Sequence, residues 1–222
     1  MNNSVSNTAR LLWAGLRALL VLTVVTGVLY PLAVTGVAQG IFPDRANGSE
    51  ITSDGRVVGS SLIGQAYNLP LKKGQETPEP DLKWFQGRPQ NGLGTNSVNT
   101  QYELILSGAT NRSGDNKDLI DWVRAAKAAV IKDNSVDGYT VRPSDVPPDA
   151  VTSSGSGLDP DISPAYADLQ VHRIAEKNGL PVAQVRKLVD EHSDSRTLGF
   201  IGEPTVNVLE LNIALKDVVA RS

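Results

Sequence analysis

The sequence predicts an α/β domain of the α+β kind, held outside a membrane behind one N-terminal transmembrane helix. Three observations carry that expectation. Ala18 to Pro43 runs for 26 residues without Lys, Arg, Asp or Glu. At a rise of about 1.5 Å per residue such a helix crosses about 30 Å of hydrocarbon. All 24 acidic residues and 19 of the 21 basic ones follow Pro43, so the remainder is built for water. That remainder mixes short β-branched runs with stretches of helical periodicity.

The domain plan is residues 1–10 as a short N-terminus, 11–37 as the membrane helix, and 44–222 as the outer domain, with a helical C-terminal part from about 161 to 220. Leu19, Leu22, Val25 and Leu29 supply the apolar anchor, with Tyr30 and Pro31 toward its outer end. Thr23 and Thr26 return their hydroxyls to carbonyls of the preceding turn and so tolerate lipid. Pro31 lacks an N–H and is expected to bend or finish the helix. Arg10 and Arg17 flank the N-terminal side, whereas the first charge beyond is Asp44. The positive-inside rule therefore keeps the N-terminus in the cytoplasm and sends the domain out of a single-pass plasma-membrane protein. Two other readings use the same residues. Gly36-Val37-Ala38 is a passable signal-peptide cleavage site, although the apolar stretch exceeds the usual apolar region of about 7–15 residues. A core helix of a soluble protein is the second, and the length and apolarity speak against it.

Beyond the membrane, residues 44–58 read as a polar exit, a turn at Ser53-Asp54-Gly55 and a short strand at Val57-Val58. Leu71–Lys83 is charged and proline-bearing, hence a surface excursion from which Trp84-Phe85 returns to the core. Residues 90–114, rich in Asn, Gly, Ser and Thr, are expected to form a long loop. Asp115 or Asn116 caps a helix whose Leu119, Ile120, Trp122, Val123, Ala126 and Val130 make an apolar stripe. Gly138 closes that segment, and Tyr139–Val141 suits a strand. Ser163-Pro164 is an N-cap with proline at the first helical position, and Gly179 ends the helix it starts. Pro181 opens another, with Val182, Val185, Leu188 and Val189 on one face. Val208, Leu211, Leu215, Val218 and Val219 follow helical spacing, while β-branched Val206 and Val208 also suit a strand.

Composition excludes several kinds of chemistry. There is no cysteine, so disulfides, thiol nucleophiles and thiolate metal sites are absent. The formal net charge is −3, which disfavours nucleic acid as a partner. Neither G-x-S-x-G, nor a phosphate-cradling G-x-x-x-x-G-K-[ST], nor H-E-x-x-H occurs. Asp159-Pro160-Asp161 offers two carboxylates to a hard cation, but a helix-entry loop with dipole-favoured acids explains them as well. His172 within a helix reads as a partly buried or surface residue rather than as a base. No nucleophile, base and orienting group assemble, so no catalytic, cofactor-binding or metal-binding residue is assigned and the chain reads as non-catalytic.

Several ordered blocks carry a resemblance. Gly59-Ser60-Ser61-Leu62-Ile63-Gly64-Gln65, Trp84-Phe85-Gln86-Gly87-Arg88-Pro89, Ser107–Asn111, Ser156–Pro164 with Gln170 and Arg173, and above all Gly202-Glu203-Pro204-Thr205-Val206-Asn207-Val208-Leu209-Glu210-Leu211-Asn212 resemble the C subunit of the bacterial Kdp-type high-affinity potassium-transporting ATPase. The resemblance covers essentially the whole chain. It departs from the family pattern in a longer Asn68–Lys83 tract, in Ala109-Thr110, and in Arg112-Ser113-Gly114 where a hydrophobic residue is usual.

The resemblance implies a single-pass accessory subunit beside a channel-like A subunit that selects K⁺, a P-type ATPase B subunit and a small F subunit. It implies a part in assembly and stability, and a raised ATP affinity of the catalytic subunit, the complex using ATP, Mg²⁺ and K⁺. With the domain outside and ATP inside, that last effect has to travel through the membrane subunits. Gln65, Arg88, Asp159, Gln170, Arg173, Glu203 and Asn207 become the interaction candidates. For Gln65 and Arg88 the competing reading is that they fasten loops of this domain. A membrane-anchored envelope hydrolase or binding module is the alternative function, opposed by the missing triad, metal set and aromatic-rich groove. A free extracytoplasmic chaperone would require cleavage after Ala38.

Overall fold

The computed structural model describes residues 2–75, 78–89, 93–95, 103–105, 107–108 and 111–221. They fall into two units, Met1–Glu50 and Ile51–Ser222.

The first unit is helical: α1 (Asn2–Val24), a single π turn (Val25–Leu29), α2 (Tyr30–Ile41) and the short α3 (Pro43–Ala46). Among the described residues, Ser4–Ile41 is the one helix long and apolar enough to cross a membrane, at 38 residues. Leu19, Leu22, Val25, Leu29 and Tyr30 are all exposed on it. Pro31 does not finish the helix, one of the two outcomes expected of it. Its ring would collide with the carbonyl four residues back. The backbone widens instead, and the Tyr30 N–H bonds the Val25 carbonyl five residues back. One π turn thus absorbs the proline, a recognised way of passing it inside a helix. Thr26 Oγ1 donates to Leu22 O at 2.7 Å, as its position in the apolar tract requires.

The second unit is α+β. A hairpin, β1 (Glu50–Ser53) and β2 (Arg56–Ser60), turns at Asp54 and Gly55. Their φ values of 52° and 75° are those of a type I′ turn. Residues 90–114 are not all loop: β3 (Leu93–Thr95) pairs antiparallel with β4 (Glu103–Ile105), Leu93 opposite Ile105. The rest of the loop expectation for 90–92, 96–102, 106 and 109–110 lies outside the described residues.

Helix α4 (Lys117–Asn134) begins at Asn116, whose side chain accepts from the Leu119 N–H at 3.0 Å. Trp122 departs from the expected buried stripe: it is exposed, and the Arg112 guanidinium lies 4.2 Å from its ring centroid. Tyr139–Val141 is no strand either. Val136 and Tyr139 exchange backbone hydrogen bonds around Gly138, and Val141 then enters the core.

Short 3₁₀ turns at Pro143–Asp145 and Pro148–Ala150 lead to β5 (Asp161–Ile162) and α5 (Pro164–Asn178). Ser163 Oγ accepts the Tyr166 N–H at 3.1 Å, and Gly179 ends α5 at φ 66°. Helix α6 (Val182–Glu191), β6 (Ser193–Asp194), β7 (Thr205–Asn207) and α7 (Val208–Arg221) complete the chain. β7 is the centre of a three-stranded antiparallel sheet in the order β5-β7-β6. Val206 on it is fully buried and Val208 starts the helix, which resolves the strand-or-helix ambiguity of the two β-branched residues.

α5 packs against α4, α6 and β7, while α6 packs on α7. Tyr166, Ala167, Leu169, Val171, Ile174 and Ala175 of α5 are buried with Val185 and Val189 of α6 and Leu211 and Leu215 of α7. The apolar area they remove from water is the main drive for the domain.

Candidate interaction site

Two of the seven interaction candidates turn inward. Gln170 and Arg173 are fully buried, one turn apart on α5. Arg173 Nε donates to Asn134 Oδ1 at 2.8 Å, Nη2 to Gln170 Oε1 at 2.6 Å, and Nη1 to the carbonyls of Trp84, at 3.0 Å, and Leu82. Gln170 Oε1 also accepts the Gln86 N–H at 2.7 Å, and Gln170 Nε2 donates back to Gln86 O at 3.0 Å. Asn212 treats Phe85 the same way, at 2.9 and 3.0 Å.

Side chains of α5 and α7 thus stand in for strand partners of Leu82–Gln86, which has no strand beside it among the described residues. This is why a polar backbone can enter the core without orphaned groups. The guanidinium meets only neutral acceptors there, and burial pulls its pKa down to about 10. Gln170 and Arg173 are therefore internal braces with no surface to offer a partner.

Gln65 also acts within the domain. Its Nε2 donates to Val58 O at 2.7 Å across Gly59, where an added Cβ would lie 2.2 Å from that nitrogen. Only glycine admits this approach. The residue lines a small pocket of about 160 Å³ with Tyr67, Trp84, Leu209 and Asn212. The Tyr67 hydroxyl is buried and unpartnered, and burial raises its pKa.

The other four candidates gather elsewhere. Arg88, Asp159 and Glu203 line one groove of about 620 Å³ with Asp149 and Asp161, and Asn207 is bonded to Asp161 at its wall. Arg88 Nη1 pairs with Asp159 Oδ2 at 3.2 Å while Nη2 donates to Ser153 O at 3.3 Å. Asp159 Oδ1 accepts the Asp161 N–H at 3.1 Å, and Asn207 Nδ2 donates to Asp161 Oδ1 at 3.1 Å and to Ser61 O at 2.9 Å. Asn207 Oδ1 accepts the Glu210 N–H at 3.2 Å and so caps α7. Asp149 holds both the N–H and the hydroxyl of Ser163, at 2.7 and 3.0 Å. Burial first, then the neighbouring Asp159, raises the Asp161 pKa.

Asp159 lies just before β5 and Asp161 begins it, and their oxygens serve Arg88, Asn207 and backbone. No group of three or more metal-ligating side chains occurs among the described residues. His172 stacks on Tyr139 with ring centroids 3.8 Å apart; burial lowers its pKa.

Sequence reading missed Asn212, Asn134 and Gln86 as braces. A signal existed for Asn212: it sits four residues after Val208 on the apolar side of α7, where an amide has to be paired when buried. Gln170 and Arg173 carry the same signal on α5 beside Tyr166, Leu169 and Ile174.

One apolar helix of membrane-crossing length thus precedes an α+β domain with an acidic groove and internally committed amides. The chain belongs to the KdpC family, whose model, described as the c chain of K⁺-transporting ATPase, matches residues 12–217. It is 85% identical over its whole length, and that of the relative, to a potassium-transporting ATPase KdpC subunit of Streptomyces avermitilis. The same named subunit of Streptomyces coelicolor is 76% identical, covering 99% of this chain and 98% of its own. That of Mycobacterium tuberculosis is 42% identical over 93% of this chain and 97% of its own.

Proposed function

We propose that the chain is the accessory subunit of an ATP-driven, high-affinity potassium uptake complex. The observation that carries the reading is the full-length, 85% identical relative named a potassium-transporting ATPase KdpC subunit. Its membrane helix anchors it beside the channel-like A, catalytic P-type B and small F subunits, with the N-terminus in the cytoplasm and residues 44–222 outside. Small residues along the helix, such as Ala14, Gly15, Ala18, Gly27, Ala33 and Gly36, allow the close approach that helices in lipid use to associate. The braced core, with its polar groups spent internally, supports a role in holding the assembly rather than in chemistry. No cofactor is assigned to this chain, and the complex is the user of ATP, Mg²⁺ and K⁺. The chain's effect on ATP affinity is a coupling through the membrane subunits, which linkage makes reciprocal.

Replacing residues 11–37 by a cleavable signal sequence tests this. The domain then reaches the outside but is released from the membrane, and the ATPase subunit no longer copurifies with it. Full recovery of the complex without the helix overturns the anchoring role. The intact chain failing to copurify overturns the subunit reading itself.

A further inference from the structure

The connection between β6 and β7 holds bulky apolar side chains in water. Leu198, Phe200 and Ile201 are 78%, 72% and 51% exposed. The tip is nonetheless regular: Thr197 and Ile201 exchange backbone hydrogen bonds of 2.9 and 3.0 Å, and Arg196 pairs with Glu203 at 2.6 Å below it. Its turn needs φ above zero at two successive positions, Leu198 at 54° and Gly199 at 80°. Glycine meets that need freely and Asn or Asp nearly so, whereas leucine is strained there. Among the described residues these three side chains remain largely in water, and strained, solvent-facing apolar residues mark surfaces that are covered in use.

We infer that the Leu198–Ile201 tip docks into an apolar groove, rimmed by basic residues, on another subunit of the same transport complex. The rim follows from charge. The tip runs through Glu203-Pro204-Thr205 into the groove that also holds Asp149, Asp159 and Asp161 against one cation, Arg88. Arg196 is the single basic residue between Ser193 and Glu203, and it is already paired. A loop built to enter an anionic lipid surface carries spare Lys or Arg instead. A second copy of this chain would set acid against acid. An aromatic–aliphatic pair on a rigid turn is the kind of anchor that fills a protein pocket.

This inference rests on the subunit reading, and its test separates the two. p-Benzoylphenylalanine is placed at position 200 of the full chain, co-expressed with its complex and irradiated in membranes. A covalent adduct with another subunit is expected. An adduct with lipid, an adduct with a second copy, or none while the complex is intact overturns the docking. The double variant Leu198→Asn, Phe200→Ser supplies the second arm, because asparagine accepts the positive φ. The purified full chain keeps or raises its thermal midpoint while complex recovery falls about tenfold, as loss of a pocket-filling anchor gives. Undiminished recovery of the variant, with the unaltered chain assembling normally, removes the tip and leaves the subunit reading standing.

Discussion

Arg173 holds a cation among neutral oxygens, with two backbone carbonyls and two side-chain amides accepting from it. Five donors in one rigid plane allow this; a lysine ammonium has three and no fork. Truncation to alanine takes from Asn134 Oδ1 and Leu82 O the donor they have here, each a loss of about 1–3 kcal/mol, while Gln170 Oε1 and Trp84 O keep a bond from Gln86. Arg173→Ala is therefore expected to destabilise the chain by more than about 3 kcal/mol. Urea unfolding of the detergent-solubilised protein measures it, and a loss below about 1 kcal/mol would contradict the brace. Lysine at this position is expected to rescue little, since it cannot span Asn134, Gln170 and the Leu82–Trp84 carbonyls together.

Elements of this chain are fixed mainly at their ends. Ser163 is both the N-cap of α5 and the anchor for Asp149, so one hydroxyl joins the 3₁₀ segment to the helix. Ser163→Ala removes the cap and that contact but leaves the N–H bond to Asp149, and about 1–2 kcal/mol is expected to go. Thermal unfolding reads this directly, and an unshifted midpoint would show that the proline at N1 suffices.

The ends of α5 are the parts most readable in the sequence, because a cap, a proline and a terminal glycine act over three or four residues. Tyr139–Val141 shows the opposite case: β-branched and aromatic propensity suggests a strand, yet among the described residues no second strand pairs it. Pro31 leaves two outcomes open in the sequence, a bend or an end, for a related reason. Proline's cost is local, but its remedy, a π turn, depends on how the backbone of the neighbouring turn can widen.

For the molecule as a whole, orientation is the open structural quantity, and the chain suits its measurement. It has no cysteine, so a single introduced thiol reports alone. With Ser195→Cys, a membrane-impermeant maleimide is expected to label intact cells; with Ser4→Cys, labelling is expected only after permeabilisation. The reverse pattern would invert the proposed topology.

What the sequence determined by itself is whatever depends on short-range composition. The anchor is legible because partition into hydrocarbon follows from an uninterrupted apolar run, and the caps of α4 and α5 follow from one or two residues each. The roles of Gln170, Asn212 and Arg173 were decided only by the tertiary structure. Gln170 bonds Gln86 across 84 positions, and Asn212 bonds Phe85 across 127. In the sequence such residues look like polar groups free to meet a partner. Once α5 and α7 close over Leu82–Gln86, the same donors and acceptors are used inside, since buried backbone needs them there and water can no longer reach.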